Sequence, residues 1–119
     1  LYDTLMQNPQ PDNSVWLNRL SFVFVGWADA DLEAQKPANV PARYAKLHQA
    51  YLDAIAPLVD ATKQMTNAED WIAGRSNTID LSGVNYDALG QAVAESRSRF
   101  AAYDKLLNSE RAEAGLPPL

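Results

Sequence analysis

Apolar residues in this chain return every three or four positions over three separate stretches. That rhythm constrains the fold more than any other feature. Trp16, Leu20, Val23, Trp27, Ala30 and Ala34 lie four, three, four, three and four apart. Tyr44, Leu47, Tyr51, Ile55, Leu58, Thr62 and Met65 repeat at three, four, four, three, four and three, and Leu89, Val93, Ser96, Phe100, Tyr103 and Leu107 at four, three, four, three and four. Such spacing puts each set on one face of an α-helix. A strand needs alternation, which WLNRLSFVFVGWADADLEAQ lacks.

Turn-forming residues separate the stretches. NPQPDN (Asn8 to Asn13) carries two prolines, which lack an amide donor and bias the preceding residue toward extended geometry. Asn13 or Ser14 is a natural N-cap for a first long helix over Ser14 to Gln35, within which Gly26 is a weak point worth about 1 kcal/mol against alanine. KPANVP ends that helix, and Pro41 suits the first turn of a second helix running to about Thr66. Pro57 leaves the Asp53 carbonyl without its intrahelical donor and is expected to bend this helix. NAEDWI (Asn67 to Ile72) reads as a short helical turn and Ala73 to Asn85 as the longest loop. A third long helix runs from Tyr86 to about Ala114, with Asn85 or Ser82 as its cap, Gly115 at the left-handed C-terminal position and Pro117 beyond. The expected fold is all-α: an antiparallel up-and-down bundle of three long helices in one domain spanning 1–119. Its core is 14–114, 115–119 are a tail, and Leu1–Gln7 is a remnant or short fourth helix. Leu1 in place of Met suggests a trimmed product, with any signal peptide or lipid anchor upstream.

The run LSFVFVGW (Leu20 to Trp27) complicates the first helix. On a helical wheel Trp16, Leu20, Val23 and Trp27 share a side with Leu17 and Phe24 adjacent. Val25 falls opposite, and Phe22 and Val15 lie well off the stripe. A surface helix carries polar residues there, so coverage on more than one face is expected. Three candidates can provide it: the Leu1–Gln7 helix, the Ala73–Asn85 loop, or a second copy of the chain meeting Phe22 and Val25.

Composition bounds the chemistry. The 119 residues are 47% hydrophobic, enough for one real core, and the formal net charge is −5. An acidic excess argues against nucleic acid, which needs clustered Lys and Arg, and against adsorption to anionic membranes. The chain has no cysteine, so disulfides, thiolate metal sites and a cysteine nucleophile are excluded. No run approaches the roughly 18 apolar residues of a transmembrane helix.

Each candidate for chemistry has a plainer reading. His48, the one histidine, needs a partner to act as base or ligand, and Asp53 is off its face while Tyr44 is one turn away, so packing or an inter-helix hydrogen bond is expected. Asp29, Asp31 and Glu33 splay apart on a helix and lack a calcium loop's glycine turn. Asn77, Asp80, Ser82, Asn85 and Asp87 suit turns and caps better than a cation site. Ser96 is read as bonding back to a carbonyl one turn earlier on its own helix rather than as a nucleophile. No GxSxG, HExxH, P-loop, Rossmann or ExxH pattern is present.

In VPARYAKLHQAYLDAI, Pro41, Tyr44, His48 and Leu52 form a P–Y–LH–Y–L pattern after a Trp-bearing helix and a proline break. This resembles the helical-bundle domains of uncharacterised exported proteins and lipoproteins of bacteria. The likeness implies an extracytoplasmic setting, in the cell envelope or secreted, and supplies no catalytic residue. The function expected is therefore a non-catalytic interaction or structural domain with no cofactor, meeting an unknown protein partner or associating with itself through Phe22 and Val25. The alternative is a binding module for a small apolar ligand or cation inside the bundle, with Tyr44, Tyr51, Tyr103 and the Pro57 kink lining a pocket and His48 nearby.

Overall fold

The computed structural model describes residues 1–36, 40–64, 74–75 and 81–119. Among these residues the chain is an all-α helical bundle without strands, made of α1 (Tyr2–Gln7), α2 (Ser14–Gln35), a 3₁₀ turn (Ala42–Tyr44) leading into α3 (Ala45–Thr62), and α4 (Tyr86–Glu113). Local chemistry sets the ends. The Asn13 side chain accepts from the amides of Val15 (2.9 Å) and Trp16 (3.1 Å), and Asn85 accepts from Ala88 (3.0 Å), so both long helices start on an asparagine cap. At the end of α4, Leu116 N–H donates to the Arg111 carbonyl (2.8 Å) and Gly115 N–H to that of Ala112 (3.0 Å). Gly115 takes φ +76°, the left-handed conformation that this Schellman cap requires.

The cross-helix contacts fix directions. Ser96 of α4 meets Ala54 of α3, Arg99 meets Asp53, and the Phe100 and Tyr103 rings meet Tyr51. Numbers rise along one helix as they fall along the other, so α3 and α4 are antiparallel. The Trp16 indole N–H donates to the Leu5 carbonyl (3.1 Å) while the Tyr2 ring lies 5.9 Å from that of Trp27, so α1 is antiparallel to α2. Asp3 of α1 reaches across to Arg97 of α4 (2.6 Å). The short α1 thus occupies a fourth position between α2 and α4, for two turns only. The guanidinium beside Asp3 holds its carboxyl below the usual carboxylate range, chiefly by hydrogen bonding. Burial pushes the Tyr2 and Tyr86 hydroxyls up.

One cluster forms the dry core: Leu5, Trp16, Leu20, Val23, Phe24, Ala61, Leu81 and Leu89, with Tyr2, Leu17, Trp27, Val84 and Tyr86 packed against it. Leu20, Phe24 and Leu89 are completely buried. Leu81 and Val84 plug the bundle below α4, and Asn85 N–H donates to the Gln64 side chain (2.8 Å), tying the end of α3 to the start of α4. Residues 81–84 therefore pack the core. No described helix is long and apolar enough to cross a membrane.

Several expectations are corrected. Within the chain neither α1 nor the described residues of 73–85 cover Phe22, which is 62% exposed while Val25 is half-buried, and a second copy stays among the candidates. The two turns of α1 lie over the Trp16–Trp27 side of α2, which leaves the opposite side open among the described residues. The second long helix opens with a 3₁₀ turn and ends at Thr62 rather than Thr66. Its Met65, the Asn67–Ile72 turn, and Asn77 and Asp80 lie outside the described residues. Ser96 does not bond back along its own helix: its hydroxyl donates 2.7 Å across the bundle to the Ala54 carbonyl.

Candidate functional site

α3 continues through Pro57, whose ring nitrogen has no hydrogen for the Asp53 carbonyl. In its place Arg99 Nη1 of α4 donates to that carbonyl at 2.9 Å, one residue from the Ser96–Ala54 bond. Two side chains one turn apart on α4 thus satisfy two consecutive carbonyls of α3. This latch divides the bundle. Among the described residues, none before Ala54 on α3, after Ser96 on α4 or after Phe24 on α2 is fully buried.

Beyond the latch the side chains are aromatic. Tyr51, Phe100 and Tyr103 form an edge-to-face cluster with centroids 5.7 to 6.2 Å apart. Above it opens a cleft of about 330 Å³ lined by Tyr44, His48, Tyr51 and Tyr103, with Val40, Pro41 and Leu47 adding aliphatic surface. The placement follows from register. Tyr44, Leu47, His48 and Tyr51 fall on one helical stripe, and the antiparallel α4 sets Tyr103 opposite them. Tyr44 is 40% exposed at the rim, and its ring carries the Arg43 guanidinium at 4.6 Å. Tyr51, Tyr103 and His48 are half-buried.

The cleft gathers four of the residues singled out from the sequence, Tyr44, His48, Tyr51 and Tyr103. It does not include Pro57, and Phe22 and Val25 lie on α2, outside its lining. Its lining holds no carboxylate. Asp53 accepts from Gln49 (2.9 Å). No three His, Asp or Glu side chains converge to hold a metal ion among the described residues. The arrangement suits uptake of an apolar, planar body oriented by phenol and imidazole groups. Asn85 caps α4, and Asp87 sits in its first turn where the helix dipole favours an acid. Sequence reasoning missed Arg99 and the true role of Ser96; the orphan carbonyl created by Pro57 was the available signal. No family model, curated protein or solved structure matches the chain.

Proposed function

We propose that this chain is a non-catalytic binding module that takes a small, largely apolar, planar ligand in the cleft between α3 and α4. The observation that carries this reading is the cleft itself: about 330 Å³, lined by three tyrosines, one histidine and three aliphatic residues. Its volume falls at the small end of ligand pockets, and its lining has their usual mix of apolar walls and a few orienting polar groups. The absence of charged ligating groups from the lining favours an apolar ligand over a cation.

Titration with the neutral fluorophore N-phenyl-1-naphthylamine tests it. Saturable binding is expected, weakened at least about tenfold, or 1.4 kcal/mol, in Tyr44→Ala and in Tyr103→Leu. Binding that is absent, or unchanged from wild type in both variants, contradicts it. The setting we assign is extracytoplasmic, supported by the resemblance at Pro41, Tyr44, His48 and Leu52. Cell fractionation with an antibody to this chain tests that assignment, and recovery in the cytosol alone contradicts it.

A further inference from the structure

The outer face of α2 reads the same in both directions. Val15, Asn18, Phe22, Val25, Asp29 and Leu32 recur at three, four, three, four and three, on an arc of about 100° opposite the core stripe. Val15 is 59% exposed, Phe22 62% and Leu32 58%, while Asn18 and Asp29 are exposed and Val25 is half-buried. From either end the order is apolar, polar, apolar, apolar, polar, apolar.

We propose that this face is a homodimer seam, in which α2 pairs antiparallel with α2 of a second copy about a two-fold axis midway between Phe22 and Val25. That single axis sets Val15 against Leu32 of the second copy, Phe22 against its Val25, and Asn18 against its Asp29. Every apolar position meets an apolar one. Both polar positions meet each other, so Asp29 faces an amide instead of its own copy, while Glu33 at the edge of the arc pairs with Lys36 of its own chain and faces Ser14. A parallel pairing would bring Asp29 against Asp29, which costs free energy. On the flank, Arg19 has no ion-pair partner among the described residues and stands one residue from the level of Asp29 of the second copy. In this register Asp29 therefore has a cation within reach and no like charge opposite it. A two-fold contact of this kind is closed and self-complementary.

The area sets the strength. α2 has 22 residues, hence a length of about 33 Å. A seam about 10 Å wide covers roughly 300–400 Å² per copy, or roughly 600–800 Å² in total, below the roughly 1,200 Å² total of stable complexes. The dimer is therefore weak and driven by concentration, and it is independent of the cleft. Sedimentation equilibrium over about 10 μM to about 1 mM tests it. The expected result is a mass rising from 13.1 kDa toward twice that value. Phe22→Asp abolishes the rise, Asn18→Lys tightens association several-fold and Asn18→Asp weakens it several-fold, with helix content unchanged because both positions are exposed. A monomer at every concentration leaves the face to an unlike partner and overturns the proposal. A dimer indifferent to Phe22→Asp overturns it too, and Asn18→Lys and Asn18→Asp shifting association in the same direction overturns the antiparallel register.

Discussion

The two ends of the bundle are built from the same long helices and differ in their fourth wall. At the end holding α1, four elements enclose Leu20, Phe24 and Leu89, and the Leu81–Val84 segment closes the bottom. At the other end α2, α3 and α4 continue without α1, and Tyr51, Phe100 and Tyr103 pack edge to face while staying half-wet. Six residues of helix span about 9 Å where α2 spans about 33 Å. That difference in length separates a dry core from an open cleft. The change occurs at Pro57, where Ser96 and Arg99 hold the α3 carbonyls from across the bundle.

The contrast is broken most severely at the dry end. Phe24→Ala is expected to cost about 3–5 kcal/mol, against roughly half that for Phe100→Ala, because half-buried surface contributes proportionately less. Urea midpoints of the two variants measure the ratio, and equal losses would erase the distinction. At the boundary, Ser96→Ala removes the cross-bundle bond to the Ala54 carbonyl, which keeps its place in the α3 ladder, and is expected to cost about 0.5–1.5 kcal/mol by the same measurement. Trp16→Phe keeps the ring but removes the indole donor to Leu5, and is expected to cost about 1 kcal/mol. Amide exchange is expected to quicken in α1 and to stay unchanged near Tyr103. The smallest effect is electrostatic. The folded carboxyl of Asp3 titrates below its unfolded value, so its contribution is present above the ordinary carboxylate range and is lost as pH falls through the depressed folded value. Asp3 and Arg97 are largely exposed, so the change is slight and screened by salt. Melting curves of wild type and Asp3→Asn are expected to differ near neutrality and to converge in acid.

Much of this architecture is legible before any coordinates. The first long helix begins and ends where Asn13 and the Lys36–Pro37 step place it, because caps and prolines act within a few residues of their own position. Gly115 and Pro117 mark the end of α4 for the same reason. Tyr44, His48 and Tyr51 share a visible stripe, but bringing Tyr103 to them requires the antiparallel register of two helices separated by the 63–85 connection. Ser96 was misread for that reason: its acceptor is 42 positions away, and helical periodicity carries no information at that range. Phe22 poses a different problem. The wheel shows that its face is apolar, but whether anything covers that face depends on where α1 docks.

The central claim is that the bundle is closed at one end and receptive at the other. Amide chemical shifts recorded during titration with N-phenyl-1-naphthylamine test this most directly. The expected result is saturable movement confined to residues 40–51 and 100–107, with Leu20, Phe24 and Leu89 unmoved. Saturable movement centred on Leu20, Phe24 and Leu89, with Tyr44, Tyr51 and Tyr103 unmoved, would contradict it.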